Sequence, residues 1–140
     1  MKRWALRHHG YCPFCEEEDE DVEHIIKCLH EDATRINHDA LWELTKELIK
    51  IGTCPCAVRE IRNEIEAWRN NLLLPTLSNM NESLQDTILA QRKIGWKSFI
   101  EGLFTKKWRQ YQQEYFTEIE SKKGHNLWTS KAIRACWKYI

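Results

Sequence analysis

Residues 12 to 28 read Cys12-Pro-Phe-Cys15-Glu-Glu-Glu-Asp-Glu-Asp-Val-Glu-His24-Ile-Ile-Lys-Cys28. Cys12 and Cys15 bracket a two-residue turn, the commonest first half of a structural zinc site. His24 and Cys28 stand four residues apart, so on a helix they project from one face, one turn above the other. Three thiolates and one imidazole complete a closed tetrahedral shell around one structural Zn2+, with no position left for water or substrate. The expected fold is therefore mainly α, with a zinc-bound N-terminal hairpin and helix over residues 1–36. A bundle of about five helices over residues 37–140 follows, packed with the first segment as one unit.

The same cysteines admit two other chemistries. Cys12-Pro-Phe-Cys15 has the spacing of a glutaredoxin-like dithiol, but such a site needs a preceding strand and a positive environment for its thiolate. Eleven residues precede Cys12 and six consecutive anions, Glu16 to Asp21, follow Cys15. A two-Cys, two-His finger would use His24 and His30, with eight residues between Cys15 and His24 where about 12 are usual. The plainest alternative is unrelated buried cysteines beside a surface histidine, since free Cys behaves as a small hydrophobe. Four ligands in working order within one short segment favour the Cys3His site.

The order Cys-x2-Cys, an acidic spacer ending in Glu23-His24, then Ile25-Ile26-x-Cys28 resembles the zinc-binding domain found downstream of the reverse transcriptase in non-LTR retrotransposons. Further on, Ile94-Gly95-Trp96-x2-Phe99-x2-Gly102 and Trp108-x3-Gln112-x2-Tyr115 are similar to segments of retroelement-derived proteins carrying that motif. The family's last gap is usually one residue longer, which makes His30 the substitute for Cys28. The resemblance implies a non-catalytic accessory domain whose zinc ligands are Cys12, Cys15, His24 and Cys28. It also implies a role in holding RNA or target DNA, with a reverse transcriptase or another protein chain as partner. A structural or protein-interaction module stabilised by zinc is the competing function.

At 140 residues, 42% hydrophobic and 30% charged, the chain has the size and composition of one globular domain. No apolar run is long enough for a membrane span, and Met1-Lys2-Arg3-Trp4 opens no secretory signal. The expectation is an intracellular protein, nuclear or cytoplasmic, in which six cysteines serve as ligands and buried thiols more than as disulfides. No phosphate-binding glycine loop, nucleophile elbow or His-Glu-x-x-His motif is present, and no small-molecule substrate is implied.

The formal charge of zero conceals a division. Residues 1–90 carry 10 Lys/Arg against 17 Asp/Glu, and residues 91–140 carry 11 against 4, giving −7 and +7. The cations of the basic part, Lys106, Lys107, Arg109, Lys122, Lys123, Lys131, Arg134 and Lys138, are candidates to follow a phosphate backbone. A solvated helix face is the competing reading. Seven tryptophans invite base stacking, but most sit at helical core spacing, with Trp4 and Trp128 the least committed to a core.

Periodicity places the helices. The first runs through His24 and Cys28 to Asn37, and Asn37 or Asp39 caps a second bearing Leu41, Leu44, Leu48 and Ile51, which Gly52 ends. The spacing of Val58, Ile61, Ile65, Trp68 and Leu72 predicts a third, stopped by Pro75. Asn81 caps a helix burying Leu84, Ile88 and Leu89, and Thr105 caps one carrying Trp108, Tyr111, Tyr115 and Ile119. Lys122-Lys123-Gly124 closes that helix, and a final one groups Ile133, Trp137 and Ile140. The basic residues before Cys12 and the abrupt last helix read as the ends of a piece of a longer chain.

Overall fold

The computed structural model describes residues 27–28, 30–78, 80–121 and 125–139. Among the described residues are six helices and no strand: α1 Glu31–Lys50, α2 Pro55–Arg69, α3 Glu82–Ile94, α4 Trp96–Ile100, α5 Lys106–Glu118 and α6 His125–Tyr139. The expected hairpin around Cys12 and Cys15 lies outside the described residues. The mainly helical character is as the periodicity predicts.

The first and last helices pack most extensively on each other, and α5 closes on α6 beside them. The α3 helix packs on α5, and the short α4 wedges between α2, α3 and α6. The aromatic centre forms where α4 meets α5. Trp96 and Phe99 meet edge to face at 4.9 Å, Phe99 stacks on Phe104 at 4.1 Å, and Trp108 closes on Phe99 at 5.5 Å. Trp96, Phe99 and Trp108 are each at most 2% exposed, and each such ring contributes about 3 kcal/mol or more against truncation to alanine.

Four helices end in the same way. Gly52, Asn71, Gly102 and Glu120 follow α1, α2, α4 and α5 with φ of 90°, 56°, 93° and 55°. In each case the next residue's N–H bonds the carbonyl five residues back: Thr53 to Leu48, Leu72 to Ala67, Leu103 to Ser98 and Ser121 to Phe116. This is the Schellman closure, which satisfies carbonyls the helix leaves orphaned. Gly102 also needs its missing side chain, because a Cβ there would lie 2.7 Å from Trp137 Nε1.

Several boundaries differ from the sequence expectation. There is no helix break at Asn37. α1 runs through it from an N-cap at His30, whose Nδ1 accepts from Asp32 N at 3.2 Å, and Asn37 is 2% exposed on the face shared by Ala33, Ala40, Leu41 and Leu44. The apolar spacing continues through that asparagine, so nothing interrupts the helix. The α2 helix stops at Arg69 because Asn71 adopts the left-handed turn, leaving Leu72 exposed and Pro75 with no terminating role. Glu120, ahead of the expected Lys-Lys-Gly closure, ends α5.

Asn81 caps α3 as expected, its Oδ1 accepting from Leu84 N at 2.8 Å. Thr105 occupies the α5 cap position, yet its side chain makes no cap bond, and its N–H donates to Gln91 Oε1 at 3.4 Å. Leu89, Ile119 and Trp137 point outward, while Phe116, Trp128, Ala132 and Cys136 fill the core. Trp128, expected to be uncommitted, is 3% exposed and donates Nε1–H to Thr53 Oγ1 at 2.7 Å.

Buried polar groups fix the helix register. Glu64 on α2 is fully buried and receives Arg92 Nε and Nη2 on its two oxygens, each at 2.7 Å, and Trp96 Nε1 at 3.2 Å. Arg92 Nη2 also donates to Pro75 O at 2.7 Å. The hydrogen bonds to Glu64 raise the Arg92 pKa further above its ordinary value, so the guanidinium stays charged. Gln91 accepts from Trp108 Nε1 at 2.9 Å, and Gln112 donates to Gly52 O at 2.9 Å. The Tyr111 hydroxyl lies 3.2 Å from Cys54 Sγ, and burial, reinforced by that thiol, pushes the phenol well above its ordinary 10.0.

Two measurements follow from these constraints. Arg92→Ala, which strips Glu64 of its charged partner, lowers the unfolding free energy by about 3 kcal/mol; a loss under about 1 kcal/mol in urea denaturation would show that the pair is not needed. Glu120→Gly relieves the left-handed strain of a side-chain residue and raises stability by about 0.5–1 kcal/mol, readable as a shifted midpoint at unchanged m-value.

Candidate functional site

Of the four expected zinc ligands, Cys12, Cys15 and His24 lie outside the described residues, and Cys28 is within them. Cys28 is 2% exposed, and its carbonyl accepts from Arg69 Nη2 at 2.5 Å. The same guanidinium reaches Thr34 Oγ1 at 3.2 Å and, through Nη1, Asn70 Oδ1 at 2.8 Å. The backbone at Cys28 is thus tied to both α1 and the end of α2. A buried sulfur held by a fixed backbone suits a structural ligand. His30 uses its Nδ1 lone pair to accept from Asp32 N, whereas a metal-bound histidine donates from its second ring nitrogen, and the side chain is 43% exposed. Among the described residues no group of three or more His, Cys, Asp or Glu is placed to hold a metal ion.

The remaining cysteines sit apart from that segment. Cys54 is the buried N-cap residue of α2, Cys56 is exposed in its first turn after Pro55, and Cys136 is fully buried in α6. Burial pushes the Cys136 thiol well above its ordinary pKa, so it acts as a small apolar filler.

The structure divides the expected cations. Lys131, Arg134 and Lys138 recur at i, i+3 and i+7 on α6 and line one open groove of about 380 Å³ between α6 and the last turn of α1. Lys50, the final residue of α1, joins them from the other helix. All four are exposed, and none forms an ion pair with a described residue. The floor is apolar: Ile51, Phe116, Trp128 and Ala135, with Leu127 on the rim. Glu47 is the one acidic residue among those lining it.

Lys106, Lys107 and Arg109 occupy the start of α5, also exposed. Lys107 faces Asp86, and shares a shallow surface depression with Glu82 and Glu114. The field there is of mixed sign. Lys122 and Lys123 lie outside the described residues. Sequence reasoning missed Lys50 because it stands in the acidic part of the chain, and only the packing of α1 on α6 carries it to the basic face. The i, i+3, i+7 spacing on α6 was the available signal for the other three.

The groove offers charge and shape but no reacting pair: no histidine, cysteine or serine lines it. Its chemistry is attraction for an anion, with about 10 Å between Lys131 and Lys138 along the helix axis. No protein-family model, no curated protein and no solved structure matches this chain.

Proposed function

We propose that the chain is a non-catalytic helical accessory module, stabilised by one Zn2+ at Cys12, Cys15, His24 and Cys28, that associates with nucleic acid. The observation that carries the nucleic-acid part is the convergence of Lys50, Lys131, Arg134 and Lys138, all without ion-pair partners among the described residues, on one groove. Isolated surface cations are ordinary, but four around one groove raise the local potential and attract a polyanion. The zinc part rests on the spacing of residues 12–28 and their likeness to the retrotransposon zinc-binding domain, with buried, backbone-anchored Cys28 as its described member.

A second reading, a protein-interaction module, draws on Leu72, Leu73 and Leu74, which are 64%, 96% and 38% exposed in the extended connection after α2. Three adjacent exposed leucines cost solvation and suit a partner surface.

The test has a metal arm and a binding arm. Protein purified without chelator should carry one equivalent of zinc, and Cys28→Ser should lose it together with part of the helical circular dichroism. A labelled mixed-sequence oligonucleotide should bind with an affinity that falls steeply with salt. Zinc-free wild-type protein refutes the metal part. An oligonucleotide ignored at low salt, with concentration-dependent self-association abolished by Leu73→Glu, moves the function to protein interaction.

A further inference from the structure

We infer that Trp137 is a stacking platform for an unpaired nucleobase, working beside the α6 cations that attract the phosphates. This rests on the nucleic-acid reading above and adds a residue that touches the bases. Three observations carry it together.

The first is exposure where the sequence predicts burial. The spacing of Trp137 with Ile133 is that of a core position, yet Trp137 is 57% exposed. Trp96, Trp108 and Trp128 are each at most 3% exposed, and Trp68 is half-buried with Lys27 Nζ 4.6 Å from its ring centre. Base stacking needs an open aromatic face, and those four rings are already committed.

The second is that the exposed ring is held in place. Trp137 Nε1–H donates to Glu101 O at 3.1 Å, and a Cβ on Gly102 would lie 2.7 Å from Nε1 and 3.3 Å from Cε2. The pyrrole edge of the indole therefore rests on the turn after α4. An N–H bond lies in the ring plane, so it fixes the indole without covering a face. A side chain already confined loses little freedom when a ligand settles on it.

The third is the charge beside the ring. Arg134 precedes Trp137 by one turn of α6, which puts their Cβ atoms about 5–6 Å apart, and Lys138 follows Trp137 directly. Both cations are exposed and neither pairs with a described acid. The Glu101 carboxylate is itself paired with Lys97 at 3.3 Å. A nucleotide presents a flat base and a phosphate one sugar apart, and Trp137 with Arg134 offers a face for one and a charge for the other. Trp42, 53% exposed on α1, has Arg62 and Glu66 of α2 beside it, and that mixed pair gives a polyanion no net attraction. Bases inside a duplex are stacked on both faces, so the platform acts on unpaired ones.

The experiment measures binding of the full-length protein to three fluorescent probes across a salt series: oligo-dT, an abasic strand of equal length that keeps the phosphates and sugars, and a blunt duplex. The expected wild-type result is oligo-dT bound about fivefold or more tighter than the abasic strand. Trp137→Ala weakens oligo-dT by about fivefold or more, to the abasic level, and changes the abasic strand and the duplex by less than about twofold. Its salt slope on oligo-dT stays that of wild type, because no phosphate contact is lost, whereas Arg134→Gln makes the slope shallower by about 0.7. Trp137→Phe, which loses the bond to Glu101 O and keeps a ring, retains oligo-dT binding within about threefold. Trp42→Ala changes all three probes by less than about twofold.

Equal wild-type affinity for oligo-dT and the abasic strand overturns the assignment, as does an equal loss on all three probes in Trp137→Ala or an equal loss from Trp42→Ala. A protein that binds strands but is indifferent to Trp137→Ala overturns it while leaving nucleic-acid association standing. A wild-type protein that binds none of the probes overturns both.

Discussion

The carboxylate of Glu64 is the constraint on which the arrangement of the helices turns. A fully buried charge is tolerable only when its hydrogen-bonding capacity is met, and here that capacity draws in Arg92 from α3, Trp96 from α4 and, through Arg92, the carbonyl of Pro75. Three helices and the connection between two of them share one point. Rotating α3 by a single residue would turn Arg92 away and leave the carboxylate without compensation. The apolar core tolerates small shifts, and this cluster does not, so it selects one packing from the several that leucine and tryptophan faces alone would allow.

The side-chain amides do comparable work on the other side of the molecule. Gln112 holds Gly52 O and the N–H of Cys54, and Trp128 holds Thr53. All of these act on the turn that joins α1 to α2. That turn sets the direction in which α1 leaves the bundle, and therefore where Lys50 lies relative to α6. The electrostatics of the groove thus depend on uncharged groups beneath it.

The sequence revealed the helices through their spacing, and revealed least where a single residue outweighed the pattern. Leu41, Leu44, Leu48, Val58, Ile61 and Ile65 occupy the buried faces that their period implies. Asn37 misled because asparagine is a good cap at a helix start, yet it lies inside a continuous face that tertiary packing favours. Asn71 and Glu120 stop helices by taking up a left-handed turn, which composition does not announce as clearly as glycine does. Trp128 was ambiguous because its partner Thr53 is distant in the chain, and the groove was invisible for the same reason: Lys131, Arg134 and Lys138 carry a helical signature, but Lys50 reaches them only through the fold. Arg69 carried no motif, though it is the residue that fastens the backbone of Cys28 to the bundle.

The pairing of α1 with α6 joins elements near opposite ends of the described chain; the Trp128 to Thr53 bond alone spans 75 positions. Contacts of that separation repay their loop-closure entropy only after the intervening helices have condensed. The basic channel is therefore a late product of folding, absent from any species in which α6 has yet to dock. A nascent or truncated chain lacking its last helix would lose the channel and a wall of its core in one step, so the capacity to attract an anion and the completion of the tertiary structure arrive together.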